Sequence, residues 1–284
     1  MAETIPITVG HSPDPDDAFM FYALAHGRIA TGPYRFHHEL QDIETLNRRC
    51  LSGELEVSAV SIHAYAYLHD KYALLSSGCS MGDRYGPLIV AKTSVQPEQL
   101  GKLRIAVPGT LTTAYLALRL AIPGDLQTQV IPFDEIIPRV ASGEFDAGLI
   151  IHEGQLTFKN QGLRPVIDLG VWWYEKTGLP LPLGGNVVRR DLGDAVIRDV
   201  NRLLQESIRY ALSHREEALR YALRFARDMA MPLADQFVGM YVNGWTLDYG
   251  ARGRQAVREL LRQGHVAGVI PHAVDVRFVE EPSG

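Results

Sequence analysis

Apolar and polar residues trade places from Ile5 to Val9, the two-residue period of a strand with one buried face, before a turn rich in Pro and Asp. The period then lengthens to three or four across Phe19, Tyr22, Ala23 and Ala25, which predicts a helix with Asp16 or Asp17 as its N-cap. A helix over Ile43–Leu51, a short strand around Val57 and a helix rich in Tyr and Ala from Ile62 to Leu68 continue the alternation. Apolar runs at Tyr72–Ser76 and Pro87–Ala91 follow, and Lys92–Gly101, with Pro97, reads as a connector.

Beyond that connector the grammar restarts: strand Leu103–Val107, turn Pro108-Gly109-Thr110, helix Thr112–Ala121, strand Val130–Phe133, helix Asp134–Ser142 and strand Ala147–Ile151. After Ile167–Val171 and the aromatic cluster Trp172, Trp173 and Tyr174, the Pro- and Gly-rich stretch Leu179–Asn186 reads as a second connector. From Gly193 to Gly264 the pattern is helical, with Ile197, Val200, Leu204, Ile208 and Ala211 forming an apolar stripe expected to pack on the first lobe. Two crossings predict a two-lobed α/β chain, with a large discontinuous lobe over 1–95 and 190–284, a small lobe over 96–189, and a ligand cleft between them.

At 284 residues and 46% hydrophobic content the chain can bury such a core. Its formal charge of −5 offers no broad field for nucleic acid, so an anionic ligand must be held locally. The N-terminus lacks a basic segment followed by an apolar core, so an unexported, cytoplasmic protein is expected. No apolar run approaches the roughly 20 residues that span a bilayer, and no membrane insertion is expected. Cys50 and Cys79 lack metal-ligand spacing and are expected to be reduced.

Candidate chemistry gathers where strands end. His152 stands directly after the apolar strand in DAGLIIHEGQLTF, with Glu153 beside it, and an imidazole of ordinary pKa about 6.5 accepts a proton without a large energetic penalty. Thr112 and Thr113 lie between a strand and a helix, where free N–H groups and the helix dipole favour an anion; simple Thr capping uses the same groups. Ser58 and Ser61 end another strand, in VSAVSIHAY. Asp14, Asp16 and Asp17 read as helix-capping carboxylates before they read as ligands, because three of them would repel an anion. Trp172 and Trp173 read first as core. The chain has no Gly-x-Ser-x-Gly elbow, Walker lysine loop, dinucleotide turn or His-Glu-x-x-His pair, and His37, His38, His63 and His69 form no convincing zinc set, so no metal is expected.

The segments SPDPDDAFMFYAL, DIETLN, YGPLIVAK, VPGTLTTAYLAL, AGLIIHEGQLTF and TGLPLPLG, in this order, resemble the 1,4-dihydroxy-6-naphthoate synthase family of the futalosine menaquinone pathway. The resemblance covers most of the chain. It implies a fold like that of the two-domain (type II) periplasmic binding proteins, and a carbon–carbon lyase that converts cyclic dehypoxanthinyl futalosine into 1,4-dihydroxy-6-naphthoate and dihydroxyacetone, without a redox cofactor. On matching positions it implies His152 as catalytic base, and contacts to the anionic aromatic substrate from Ala59, Val60 and Ser61 and from Thr112 and Thr113. Two alternatives stand beside it: chorismate dehydratase, which lacks the strand-end histidine, and a non-catalytic small-anion-binding protein of the same architecture.

Overall fold

A computed structural model describes residues 4–225 and 230–279. Its strands are β1 (Ile5–His11), β2 (Tyr34–Leu40), β3 (Val57–Ser61), β4 (Tyr72–Leu74), β5 (Ser80–Gly82), β6 (Leu88–Ala91), β7 (Arg104–Val107), β8 (Gln127–Val130), β9 (Ala147–Ile150), β10 (Arg164–Asp168) and β11 (Leu181–Arg189). Its α-helices are α1 (Pro15–Ala25), α2 (Ile43–Ser52), α3 (Ile62–Tyr65), α4 (Thr113–Ala121), α5 (Phe133–Ser142), α6 (Gly154–Thr157), α7 (Leu169–Thr177), α8 (Asp194–Ser213), α9 (Arg215–Ala222), α10 (Met231–Tyr241), α11 (Gly244–Leu247) and α12 (Gly250–Val266).

The chain divides into two compact units. Unit 1 comprises 1–81, 184–254 and 274–284, and unit 2 comprises 82–183 and 255–273. The first sheet has the order β2-β1-β3-β11-β4, with β5 also paired to β11. In it β1 runs parallel to both β2 and β3, while β11 runs antiparallel to β3 and β4. The second sheet has the order β10-β6-β9-β7-β8, with β7 parallel to β8 and β9, and β6 antiparallel to β9 and β10.

Three expectations from the sequence change here. Leu88–Ala91, expected with the large lobe, is hydrogen-bonded into the second sheet through β9 and β10. The Pro- and Gly-rich Leu179–Asn186 falls largely within the nine-residue strand β11, and the unit boundary lies inside that strand. Helices α8 to α11 belong to unit 1 as expected from the apolar stripe, whereas α12 passes into unit 2 after Arg254.

In unit 1, α1 is buried along nearly its whole length from Pro15 to Leu24, because α8, α9 and α10 all pack on it. The stripe residues Val200, Leu204, Ile208 and Ala211 are buried in the same cluster. Each such Leu or Ile contributes roughly 1.5–3 kcal/mol through burial. In unit 2 the core is built from Val90, Ala106, Ile136, Val140 and Ile150, where α5 lies across β9. Among the described residues, no helix is long and apolar enough to cross a membrane.

The contact of α5 with β9 depends on Gly148. A Cβ there would stand 2.5 Å from Ile136 Cγ2 and 2.8 Å from Val140 Cγ2, both inside van der Waals contact and both on β-branched side chains with little freedom to turn away. Gly148→Ala is therefore expected to cost about 1–3 kcal/mol by overpacking. Denaturant titration checks this, and a neutral result would show that α5 lifts off without penalty.

Candidate active site

In unit 2 the parallel ladder of β7 and β9 pairs Ile105 with Ala147 and Ala106 with Gly148. The loops that follow the two strands therefore leave at one edge of the sheet, the carboxyl edge where α/β proteins hold ligands. After β7, Thr112 is the N-cap of α4: its Oγ1 accepts from Tyr115 N at 3.2 Å and donates to Gly109 O at 2.9 Å. Thr113 Oγ1 donates to Leu183 O at 2.5 Å, and both threonines are 2% exposed. Their hydroxyl protons are thus directed to main-chain carbonyls. The start of α4 turns the positive end of its helix dipole to this edge, with Tyr115 N already taken by the Thr112 cap.

After β9 the chain turns sharply at His152, whose φ is +57°. Only Arg84 shares a positive φ among the described non-glycine residues. Such a conformation costs a side chain-bearing residue roughly 1–2 kcal/mol. The half-buried imidazole packs edge-on against Phe133, with ring centroids 4.8 Å apart. The main-chain carbonyl of His152 accepts from Gln155 N at 3.2 Å, so the turn closes on itself before α6. Glu153 is half-buried beside it. Unit 2 therefore brings three predicted residues, Thr112, Thr113 and His152, to the same edge of one sheet.

In unit 1 the other predicted residues occupy the end of β3. Ala59 and Val60 lie opposite Asn186 and Gly185 in the ladder with β11, and Ser61 is 5% exposed. Ser61 is clamped by Asn47, which accepts from Ser61 N at 2.9 Å and donates to Ser61 Oγ at 3.2 Å. Ser58 Oγ donates to Ala59 O at 2.9 Å. Asn47 was not singled out in the sequence; its signal is a polar residue on the buried face of α2, beside Leu46 and Cys50.

The end of β1 lies at the same edge, because Gly10 pairs with Ser58 in a parallel ladder. The helix cap differs from expectation: Asp14 is the N-cap of α1 and makes no side-chain capping bond there, and Pro15 takes the first turn. Asp17 is buried and accepts from Ser12 N at 2.7 Å. Burial raises its carboxyl above the usual range, against the pull of His11 and the Ser12 amide. His11 stacks on Phe21 at 4.6 Å, faces Ser12 O through Nδ1 at 3.0 Å and meets His38 Nδ1 through Nε2 at 3.2 Å. Since Ser12 O can only accept, His11 Nδ1 carries its proton there and His11 Nε2 accepts from His38. This histidine pair was also missed, its members standing 27 residues apart.

The remaining sequence candidates are structural in their contacts. Trp173 is fully buried with its indole N–H on Pro180 O at 3.1 Å, and the Lys176 ammonium lies 5.0 Å from the Trp172 ring. Cys50 and Cys79 are free and buried, and burial pushes the Cys50 thiol up to about 11, which leaves it protonated and unreactive near neutrality.

Comparison with known proteins decides the family. Residues 7–265 match the menaquinone biosynthesis family. A 1,4-dihydroxy-6-naphthoate synthase from Thermus thermophilus is 44% identical over 263 residues, covering 93% of this chain and 95% of the relative. One from Streptomyces coelicolor is 37% identical over 270 residues, with the same coverage of each chain. The protein belongs to the 1,4-dihydroxy-6-naphthoate synthase family of menaquinone biosynthesis. Its fold is that of the periplasmic binding proteins: a Candida albicans protein described as having the generic periplasmic binding protein fold aligns with a TM-score of 0.69 at 16% identity, covering 95% of this chain and 92% of that one.

For this naphthoate synthase relative, the left-handed turn at His152 and the buried histidine pair make separate predictions. His152→Gly is expected to be about 1 kcal/mol more stable than His152→Ala in chemical denaturation, because only glycine takes a φ of +57° without a Cβ penalty. Equal stabilities would mean that the turn relaxes. Burial pulls the imidazole of His38 down to about 3, helped by the neighbouring His11 and His37. Folded His38 stays neutral where the unfolded residue, with a pKa of about 6.5, takes a proton; the unfolded state binds more protons, and stability falls as pH drops from about 6.5 toward 3. His38→Gln is expected to flatten the pH dependence of unfolding free energy by up to about 1.4 kcal/mol per pH unit in that window, and an unchanged slope would refute the assignment.

Proposed function

We propose that the protein is a carbon–carbon lyase that converts cyclic dehypoxanthinyl futalosine into 1,4-dihydroxy-6-naphthoate and dihydroxyacetone, with His152 as general base. The observation that carries this reading is the position of His152 on the strained turn after β9, at the same sheet edge as the start of α4. A base on a turn that spends conformational energy to aim it is a familiar economy of catalytic sites. The names of the Thermus and Streptomyces relatives support the product.

In the proposed reaction the sugar hemiacetal opens, and His152 takes the proton of the hydroxyl this leaves on the ring carbon that bears the three-carbon unit. The O–H electron pair becomes a second ring ketone, and the carbon–carbon bond to the three-carbon unit breaks. Its electron pair passes to the three-carbon unit, in its keto form, as an enediolate that takes a proton and leaves as dihydroxyacetone, while the ring 1,4-diketone enolises to the aromatic diol. The atoms and electrons balance without an external oxidant or reductant. Aromatisation supplies the driving force, and one positioned base contributes about 10² to 10⁴ in rate.

The substrate's aryl carboxylate is assigned to the first turn of α4 at Thr112 and Thr113. Because the two hydroxyls donate to Gly109 O and Leu183 O, the carboxylate is met by main-chain amides and the helix dipole rather than by side-chain O–H groups. Ala59, Val60 and Ser61 are proposed as further substrate contacts, with Asn47 holding Ser61 in place.

The test is turnover of cyclic dehypoxanthinyl futalosine by the wild type and His152→Asn, with the naphthoate product followed by chromatography and mass. Asparagine tolerates a positive φ but cannot serve as the base. A loss of about 10² to 10⁴ in kcat with little change in substrate affinity is expected. Undiminished turnover by His152→Asn would remove His152 as base, and absence of product from a substrate-binding wild type would remove the lyase reading.

A further inference from the structure

Unit 2 contains a cavity of about 510 Å³ at the ends of three helices, away from His152, Thr112 and Thr113. Arg119 comes from the last turn of α4, Lys176 from the last turn of α7 and Arg262 from α12. Leu120, Pro123 and Val269 add apolar wall, and Val266, 74% exposed, also lines the cavity. Thr113 and Arg119 stand six residues apart on α4, about 9 Å along its axis, so this cavity and the carboxyl edge lie toward opposite ends of one helix.

The three cations are differently placed. Arg262 is held by Glu259 in a two-point pair, Nε to Oε2 at 2.8 Å and Nη2 to Oε1 at 2.6 Å, and Gln263 also donates to that carboxylate at 2.8 Å. Lys176 is exposed, with its ammonium over Trp172. Arg119 reaches Tyr115 OH at 3.5 Å through Nη1, but its buried Nε has no hydrogen-bond partner. Three cations thus face one carboxylate in a chain whose formal charge is −5. With Glu259 set against Arg262, the charges of Arg119 and Lys176 stand against three helix ends of about half a negative unit each, which leaves the cavity weakly positive.

We propose that this cavity is a second binding site, for a small organic acid that carries one oxyanion on a compact apolar body. The oxyanion takes Arg119 and Lys176, with only Nη1 of Arg262 beside them because Glu259 holds its Nε and Nη2, and the apolar body lies on Leu120, Pro123 and Val269. Its volume lies within the range of small-molecule sites.

Trp172 supplies a reporter, since Lys176 lies over its ring and the chain has only three tryptophans, whose indole N–H signals are assigned by single Trp→Phe variants. With 2-naphthoate as probe, the Trp172 signal is expected to shift saturably, and the Lys176→Gln/Arg262→Gln pair to weaken that binding by about tenfold or more while turnover stays at the wild-type level. Inorganic phosphate, which lacks the apolar body, and 2-naphthalenemethanol, which lacks the charge, are each expected to bind at least about tenfold more weakly. The proposal is overturned if no saturable shift occurs, if phosphate binds as well as naphthoate, or if the Lys176→Gln/Arg262→Gln pair leaves the shift unchanged, which would assign the signal to the carboxyl edge instead.

Discussion

The parallel ladder between β7 and β9 is the constraint on which the candidate site rests. Pairing Ile105 with Ala147 and Ala106 with Gly148 fixes where both strands end, and so fixes a helix N-terminus and a histidine at one edge. Register leaves little freedom: Ile105, Ala106 and Val107 are all buried, so both faces of β7 are committed and a one-residue slip would exchange every side chain between them. Gly148 secures the ladder from beneath, because its missing Cβ lets α5 settle on β9 and brings Phe133 against the imidazole.

Unit 1 repeats the device with different chemistry. Parallel β1 and β3 end together, and the residues at their ends are held by buried polar contacts: Asn47 on Ser61, and Asp17 on the Ser12 amide. Such contacts are favourable because each buried donor or acceptor would otherwise lose its water uncompensated. The cost appears at His11 and His38, whose burial holds their imidazoles below the usual pKa. The same desolvation that keeps this pair neutral makes it a point of acid sensitivity in the fold.

Much of this was legible from periodicity. The ends of β3, β7 and β9, the stripe on α8 and the position of His152 after an apolar run all follow from local pattern. What escaped depends on partners distant in the chain. β2 is an edge strand whose Arg35 and His37 are exposed, so it shows no apolar run. β11 contains Pro182, Gly184 and Gly185, residues of turns, yet Gly185 is needed because a Cβ there would stand 2.3 Å from Tyr249 Oη. The His11–His38 and Asn47–Ser61 contacts join separate elements, and no spacing rule announces them. The threonines were found by pattern, but the direction of their hydroxyls toward Gly109 and Leu183 carbonyls required the structure.

Two proposed assignments stand together, a base at His152 and a carboxylate at the start of α4, and the crystal structure of His152→Asn with cyclic dehypoxanthinyl futalosine tests both. The predicted result is the aryl carboxylate within hydrogen-bond distance of the first-turn amides of α4, with the oxygen on the ring carbon that bears the three-carbon unit facing the side chain at position 152. A substrate bound in the reverse sense, with its carboxylate away from α4 and that oxygen out of reach of position 152, would contradict the account.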